Sequence, residues 1–310
     1  MKILITCPPM LRRIEEFRHI FLDKNIELVL PNVVQTLTED ELVEIIHDVD
    51  GWIIGDDPAT ERVFTIGKNN KLKAAVKWGV GVDNVDFKAC EKLNIPISNT
   101  PNMFGDEVAS LAVGYLLSLS RQTFYIDREI RKGNWVKPAG RSLKDKTIAL
   151  IGFGDIGKST AKFLKAFDMN INIYDPYAIK SEVDLENYTF REFPTNLEFA
   201  DYVVITCALN SSTSKMINSS SISKMKDGVS IINVSRGGLI DETALIQGLN
   251  SGKIAAVALD VFENEPLSID SEFIKMDNCI LGSHNGSNTI EAVERASLKS
   301  IDLLFNFLGI

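Results

Sequence analysis

A chain of 310 residues, 45% of them hydrophobic and 24% charged, has enough apolar material for packed cores and is not composed like a disordered protein. It is longer than one hydrophobic core usually serves, which predicts a soluble protein of two domains. The formal net charge of −9, without any block of Lys and Arg, argues against a nucleic-acid partner.

The start of the chain and its cysteines indicate the compartment. MKILITCPPM is typical of a strand running into a turn rather than of a secretion signal, and no run of about 18 apolar residues is available to span a membrane. The four cysteines, Cys7, Cys90, Cys207 and Cys279, lack the CxxC spacing of a zinc site. We therefore expect free thiols, no metal, no membrane contact and a cytoplasmic location.

Short apolar runs alternate with amphipathic runs over the first hundred residues. KILIT, ELVL, GWIIG and KAAVKW are each followed by a helix-like run, and Thr38 with Glu41 forms a capping-box pattern at the start of one of them. This alternation predicts a parallel α/β sheet. Turn formers in NTPNMFGD then lead into a helical stretch from about Glu107 to Arg121, which continues past Gln122 towards Gly133.

A second α/β series opens at Thr147. Its apolar runs are TIALIG, INIYD, YVVITC, VSIINVS, AAVALDVF and CILGS, with helices to about Phe167 and from Asp241 between them. A final amphipathic helix is expected from about Thr289 to Phe307, and the Ser-rich segment 211–223 is interpreted as a loop and helix cap. The predicted fold class is α/β, with two doubly wound parallel sheets and hinges near 99–104 and 285–289.

A glycine-rich loop joins the first strand and helix of this second series. Gly152, Gly154 and Gly157 have GxGxxG spacing directly after TIALI, and Asp175 ends the next apolar run. Glycines allow close backbone approach to a pyrophosphate, and an acid about 20 residues later accepts ribose hydroxyls and repels a 2′-phosphate. The pattern predicts NAD rather than NADP. The plainer alternative is that the glycines serve strand-to-helix packing alone.

Asp155 is unusual in such a loop because its charge would lie close to the phosphates. We expect its side chain to point to solvent or to cap the helix.

Three polar residues each follow a later apolar run. They are Arg236 in IINVSRGG, Glu265 in ALDVFENEP and His284 in ILGSHNG. The carboxyl ends of parallel strands line the ligand crevice of a doubly wound sheet, so these side chains are expected to meet there. Each could instead be a solvated loop residue. His19 and His47 lie in charged helical runs, for which that interpretation is preferred.

Six segments in this order resemble the D-isomer specific 2-hydroxyacid dehydrogenases, most closely their phosphoglycerate dehydrogenase-like branch. They are GVGVDNVD, ISNTPN, GFGDIG, the run 224–245, AAVALDVFENEP and SHNGSNT. The resemblance implies a flavodoxin-like substrate-binding domain, 1–101 and 287–310, with a Rossmann NAD-binding domain, 102–286, inserted into it. It also implies a homodimer formed through helices 107–133.

The resemblance assigns roles residue by residue. Its catalytic set maps onto Arg236, Glu265 and His284. The family's cofactor contacts, besides the three glycines and Asp175, correspond to the backbone of Asp155 and Ile156 and to Cys207, Val234, Ser235, Arg236, Asp260, His284 and Gly286. Its substrate contacts map onto Lys77, Val80, Gly81, Arg236 and His284.

The residue types then suggest a mechanism. Arg236 would hold the substrate carboxylate bidentately. His284 would protonate the ketone oxygen or remove the hydroxyl proton. Glu265 would favour the charged imidazole, raise its pKa and fix its tautomer.

The chain departs from the phosphoglycerate dehydrogenase pattern in the loop IIGDDPAT. Asp56 and Asp57 stand there where that branch has basic residues, so we expect phosphate to be repelled and 3-phosphoglycerate to be disfavoured. Further departures suggest a specialised substrate, which the sequence does not identify. They are Ser110, Thr206, Ala208, Ser283 and Asn285.

Three other classes of protein share features with this sequence. Adenosylhomocysteine hydrolases have a similar glycine loop but are longer and lack the Arg/Glu/His set, and formate dehydrogenases pair the histidine with glutamine, where this chain has Glu265. A non-catalytic NAD(H)-sensing protein on the same scaffold stays open. Turnover of 2-keto acids would discriminate between a sensor and an enzyme.

Overall fold

A computed structural model of the chain describes residues 1–178 and 188–310. The chain divides into two compact units. Unit 1 comprises Met1–Met103 and Asn288–Ile310, and unit 2 comprises Phe104–Ser287. Each unit is described by itself.

Unit 1 is built on a five-stranded parallel sheet. Its strands are β1 (Lys2–Ile5), β2 (Glu27–Val29), β3 (Gly51–Ile54), β4 (Ala74–Lys77) and β5 (Ile97–Asn99). Their order, β2-β1-β3-β4-β5, is that of a flavodoxin-like sheet. The helices of its first segment are α1 (Pro8–Arg12), α2 (Ile14–Leu22), α3 (Glu39–Ile46), α4 (Glu61–Asn69) and α5 (Phe87–Lys92).

Local sequence signals explain how these helices begin and what they cover. The capping box at α3 is confirmed, since the Thr38 hydroxyl accepts a hydrogen bond from the Glu41 amide and the Glu41 carboxylate accepts one from the Thr38 amide. The apolar faces of α3 and α4 cover a core that contains Leu4, Trp52 and Phe64, all of them fully buried.

Unit 2 contains seven parallel strands among its described residues. They are β6 (Thr147–Ile151), β7 (Asn170–Tyr174), β8 (Tyr188–Phe190), β9 (Tyr202–Ile205), β10 (Val229–Asn233), β11 (Ile254–Leu259) and β12 (Cys279–Leu281). The order is β12-β11-β10-β9-β6-β7-β8, so the strand order reverses between β6 and β9. At such a switch point, ligands bind outside the carboxyl ends of the strands. The predicted fold class is confirmed.

The helices of unit 2 flank this sheet. They are α6 (Gly105–Arg121), α7 (Thr123–Arg131), α8 (Asp155–Lys165), α9 (Ser219–Ser223) and α10 (Glu242–Ser251). Asn218 caps α9 within the Ser-rich segment, as expected. The chain then returns to unit 1 for α11 (Ile290–Leu308), which Thr289 caps and which packs against β3 and β4.

The structure differs from the sequence prediction in two places. Strands β5 and β8 were not predicted, because their three-residue segments, ISN and YTF, contain polar residues and form no continuous apolar run. The helical stretch towards Gly133 is also interrupted. Gln122 lies in the left-handed region, with φ 54°, and therefore separates α6 from α7.

Within the described part of the chain, no helix is long and apolar enough to cross a membrane. The same residues contain no group of three His, Cys, Asp or Glu side chains that could hold a metal ion.

Candidate active site

The loop after β6 adopts the compact turn that its glycines permit. Gly152 has φ +96°, and a Cβ there would lie 2.5 Å from the Cys207 amide nitrogen. A Cβ on Gly157 would lie 2.2 Å from the Gly152 carbonyl oxygen. The Thr206 hydroxyl donates a hydrogen bond to that same carbonyl, at 2.9 Å. Side chains at these two glycines would therefore force the loop away from β9 and from α8.

Gly154 is different, because a Cβ placed there would meet no atom within 4 Å. It is the N-cap of α8, whose first-turn amides, including those of Asp155 and Ile156, lack acceptors within the helix. Open space in front of the first-turn amides and the positive end of a helix dipole suits a pyrophosphate. The loop therefore fits a dinucleotide such as NAD.

Asp175 follows β7 and contacts the glycine loop directly. Its carboxylate accepts hydrogen bonds from the Phe153 amide at 2.7 Å and from the Tyr177 amide at 2.8 Å. A carboxylate can accept about four hydrogen bonds, so both oxygens keep capacity for ribose hydroxyls. The carboxylate lies where a dinucleotide fold needs it.

The expectation for Asp155 was wrong. Its side chain is half-buried, and its Oδ1 lies 2.6 Å from the position that a Cβ on Gly105 would occupy. The carboxylate therefore packs against the first residue of α6 rather than extending into solvent. The positive end of the α6 dipole stabilises a negative charge there.

Asn233, at the end of β10, organises the turn that carries Arg236. Its amide donates to the Arg236 carbonyl at 2.9 Å, and its side-chain oxygen accepts from the Ser235 amide at 3.1 Å. A Cβ on Gly237 would lie 1.9 Å from the carbonyl carbon of Phe262. This glycine therefore lets the arginine turn press against the loop that follows β11.

That loop carries Glu265, which contacts His284 directly. One carboxylate oxygen of Glu265 accepts from the Phe262 amide at 2.9 Å, and the other lies 2.7 Å from His284 Nδ1. Each of the two side chains is 20% exposed. The carboxylate is thus fixed by the backbone and in turn fixes the imidazole, which leaves Nε2 as the nitrogen able to exchange a proton with a substrate.

The backbone of His284 is left-handed, with φ 54°, a conformation that costs a non-glycine residue about 1 kcal/mol. Asp260 holds it there. The Asp260 carbonyl accepts from the His284 amide at 2.7 Å, and its carboxylate accepts from the Gly286 amide at 2.8 Å. The hydroxyl of Tyr115, on α6, donates to the other oxygen of that carboxylate at 3.3 Å. Two hydrogen bonds to Asp260 therefore hold the strained backbone of the His284 loop, and Tyr115 in turn holds the Asp260 carboxylate.

The predicted positions in unit 2 all follow its strands at the carboxyl edge of the sheet. Ser235, next to Val234, donates a hydrogen bond to the Cys207 carbonyl. Burial raises the pKa of the Cys207 thiol to about 11, so this side chain is neutral at pH 7 and adds no charge near the glycine loop.

The candidates in unit 1 surround the turn after β4. Gly79, with φ +120°, donates to the Thr100 hydroxyl, and Asn99 donates to the Val80 carbonyl at 3.0 Å. Val80 is 37% exposed. Two hydrogen bonds therefore hold this turn, which places Val80 and Gly81 at the carboxyl edge of the unit 1 sheet.

The interpretation of the two acidic residues in the loop after β3 was wrong for one of them. Asp57 is fully buried and accepts hydrogen bonds from the amides of Leu37 and Gly55, so it holds its own loop and faces no ligand. Asp56 pairs with Lys77 Nζ at 2.9 Å. The Lys77 side chain is only 3% exposed, so the substrate contact that the resemblance implies for it is not an open cation site.

Comparison with known proteins decides the family. Residues 113–286 match the family model described as "D-isomer specific 2-hydroxyacid dehydrogenase, NAD binding domain". The chain belongs to the D-isomer specific 2-hydroxyacid dehydrogenase family. This dehydrogenase is an NAD-dependent oxidoreductase of 2-hydroxy acids.

Three relatives illustrate its neighbourhood. The dehydrogenase is 37% identical to a hydroxypyruvate reductase of Thermotoga maritima, over 88% of this chain and 90% of that protein. It is also 37% identical to a D-3-phosphoglycerate dehydrogenase of Methanocaldococcus jannaschii, over 85% of this chain and 51% of that one, and so spans about half its length. The crystal structure of a glyoxylate reductase from Paecilomyes thermophila has a TM-score of 0.81 and 28% identity, and the match covers 97% and 93% of the two chains.

Three features of the site were not predicted from the sequence. They are the roles of Tyr115 and Asn233, and the hydrogen bond from the Thr206 hydroxyl to the Gly152 carbonyl. Tyr115 lies in a helix far along the chain from the residues it supports, and no local pattern marks it. Thr206 was noted as a departure from the family pattern, and that departure was the available signal.

Proposed function

We propose that the dehydrogenase reduces small 2-keto acids that carry no charge besides the reacting acid's own carboxylate, with hydroxypyruvate and glyoxylate as the leading candidates. The observation that carries this proposal is the 2.7 Å contact between Glu265 and His284 at the sheet edge where the glycine loop also opens. A general acid held by a carboxylate is what carbonyl reduction requires. The hydroxypyruvate and glyoxylate reductases among the similar proteins supply the candidate substrates.

In this proposal His284 moves the proton. NAD, when bound, carries the hydride that the substrate carbon gains or loses. During reduction His284 Nε2 gives a proton to the ketone oxygen, and during oxidation it takes the proton from the hydroxyl. Glu265 stabilises the imidazolium and holds Nδ1 protonated, so that Nε2 is the reacting nitrogen in both directions.

Arg236 fixes the substrate. Its planar guanidinium binds the carboxylate with two parallel hydrogen bonds, which orients the neighbouring C2 for reaction. The amides of Val80 and Gly81 are further candidates for carboxylate binding, since hydrogen bonds hold their turn and Val80 is exposed. We accordingly propose that the Val80–Gly81 turn of unit 1 contributes to substrate binding and that the glycine loop and Asp175 of unit 2 bind NAD.

A substrate panel tests the proposal. NADH oxidation is followed with glyoxylate, hydroxypyruvate, pyruvate, 2-ketobutyrate and 3-phosphohydroxypyruvate. We expect the highest kcat/KM with hydroxypyruvate or glyoxylate and weak use of the phosphorylated acid. Absence of turnover with every acid, alongside tight NADH binding, would contradict the catalytic proposal. The same panel with NADPH tests Asp175, because equal use of both cofactors is incompatible with its assignment to the ribose hydroxyls.

We further propose a homodimer formed through α6 and α7. Every residue of α7 is at least partly exposed, and large apolar side chains are 47% exposed at Phe124, 42% at Ile130 and 81% at Trp135. Such a patch on one helix and its following loop is typical of an interface.

Light scattering after size-exclusion chromatography should give twice the mass of the chain. The double substitution Phe124→Glu and Ile130→Glu should give a monomer, because it places two charges in the buried interface. Ile269→Glu is the matched control, since Ile269 is an 80% exposed isoleucine of unit 2 outside these helices. A monomeric wild-type protein would contradict the proposal.

A cytoplasmic location also belongs to the proposal. It is supported by the four free cysteines, three of them buried and the fourth partly so.

A further inference from the structure

The loop after β3 and the turn after β4 meet at the carboxyl edge of the unit 1 sheet. Ile54 and Lys77 are paired in register, so Asp56 lies beside the chain that continues from Lys77. Lys77 Nζ lies 2.9 Å from the Asp56 carboxylate, 3.1 Å from the Trp78 carbonyl oxygen and 3.8 Å from the Cβ position of Gly79. The ion pair therefore lies against the start of the Val80–Gly81 turn.

The two partners of this pair differ in exposure. The Lys77 side chain is 3% exposed and that of Asp56 is 34% exposed. A ligand arriving at this edge thus reaches the carboxylate, while the ammonium lies beneath it. The more exposed group of the pair, Asp56, is therefore the negative one, although the Lys77 ammonium lies within hydrogen-bonding distance of it.

A second acidic residue lies in the same loop as Asp56. Asp57 lies in the same loop, fully buried, and burial raises the pKa of its carboxyl. Of Asp56, Asp57 and Lys77, only Lys77 is a cation, and its ammonium is already bonded to Asp56. A phosphate or carboxylate would have to compete with that bond and approach an exposed carboxylate, both of which cost binding free energy.

We infer that Asp56 determines substrate specificity by occupying the Lys77 ammonium, so that the dehydrogenase accepts 2-keto acids whose C3 substituent is uncharged and excludes those bearing phosphate or a second carboxylate. This inference rests on the proposed function, because it assumes that the Val80–Gly81 turn binds the substrate carboxylate. A C3 hydroxyl can donate a hydrogen bond to Asp56, which favours hydroxypyruvate over an alkyl analogue.

The inference makes Lys77 a latent anion-binding group. Asp56→Ser removes both the charge and the cover over the ammonium. It is expected to raise the ratio of kcat/KM for 3-phosphohydroxypyruvate to that for hydroxypyruvate by about tenfold or more, as one charge-assisted hydrogen bond to phosphate would. Ketomalonate, which carries a second carboxylate, should gain in the same direction.

Two further variants test whether the uncovered Lys77 ammonium causes the gain in activity towards the phosphorylated acid. Asp56→Asn keeps the shape of the side chain and should show a smaller gain, and it serves as the second test if the serine variant folds poorly. In the double variant Asp56→Ser with Lys77→Met the gain should disappear, because no ammonium remains to be uncovered. Asp48→Asn is the matched control. Asp48 is also paired with lysines but lies before β3, at the opposite edge of the sheet, so this variant reports any effect of net charge alone.

The outcomes separate the two proposals. If wild-type protein reduces hydroxypyruvate and both Asp56 variants keep the wild-type preference for it, the inference is overturned while the proposed function stands. A gain that persists in the double variant, or that Asp48→Asn reproduces, also overturns it. If wild-type protein reduces none of the keto acids, the proposed function itself fails.

Discussion

Replacing His284 with alanine should lower kcat for 2-keto acid reduction by roughly 10²- to 10⁴-fold, the usual contribution of a positioned general acid. KM should change little, because the imidazole acts on the ketone oxygen in the transition state and adds little to binding the substrate in the ground state. Steady-state kinetics with hydroxypyruvate or glyoxylate measures both quantities. His47→Ala, an exposed histidine at the end of α3, is the matched control and should retain wild-type kcat.

The contact between Glu265 and His284 gives this prediction a second readout. Reduction requires a protonated imidazole, so the rate falls as the pH rises through the imidazole pKa. Glu265→Gln removes the charge that stabilises the imidazolium and should shift this alkaline limb to lower pH by about 1 to 2 pH units. A His284→Ala enzyme with near-normal kcat, or a Glu265→Gln enzyme with an unshifted profile, would contradict the assigned roles.

Replacing Arg236 with lysine should lower kcat/KM by about 10- to 100-fold, and replacement with alanine by about 10³-fold. Lysine keeps the charge but cannot form the two parallel hydrogen bonds that fix a carboxylate, so the exchange is not conservative at this position. The loss should appear in KM as well as kcat, which distinguishes substrate fixation from proton transfer. Arg62→Lys, an exposed arginine paired with acids on α3, is the matched control.

Substrate analogues sharpen the test of Arg236. If the guanidinium binds the carboxylate, wild-type protein should discriminate strongly between a 2-keto acid and its uncharged amide, and Arg236→Ala should lose most of that discrimination. Equal discrimination in both proteins would remove Arg236 from the carboxylate. Differential scanning fluorimetry checks that the variants are folded. We expect them to be, because Asn233 and Gly237 hold the turn through contacts with backbone atoms, which the substitution of the Arg236 side chain leaves in place.

The fold class and much of the candidate site could be predicted from the sequence because their signals are local. Strand and helix periodicities are visible over ten or so residues. The GxGxxG motif indicates a dinucleotide site because it lies between an apolar strand run and a helical run. Arg236, Glu265 and His284 were singled out because each lies shortly after an apolar run. The reactive side chains of the site therefore lie near the carboxyl ends of strands. Such positions can be recognised from the sequence, because the ends of parallel strands lie at one edge of the sheet.

The remaining features depend on contacts between distant segments. Asp57 and Asp56 are adjacent and identical in the sequence, yet one is buried by amides from its own loop and from residue 37 while the other pairs with Lys77. Asp155 packs against Gly105, fifty positions earlier. Whether a charged side chain is buried or paired depends on which segments the fold brings into contact. Those contacts cannot be identified from a single sequence.

Helix α6 links two loops that are far apart in the chain. Its first residue, Gly105, packs against Asp155 in the glycine loop, and ten residues later Tyr115 supports Asp260 and hence the His284 loop. Ten residues of helix span about 15 Å, and α6 also packs along α8. A Cβ on Gly282 would fall 2.4 Å from the Tyr115 hydroxyl, so helix and loop are shaped to each other. Chimeras that exchange the histidine loop between relatives must therefore carry the matching segment of α6 with it, or the transplanted imidazole will lose its orientation although every catalytic residue is present.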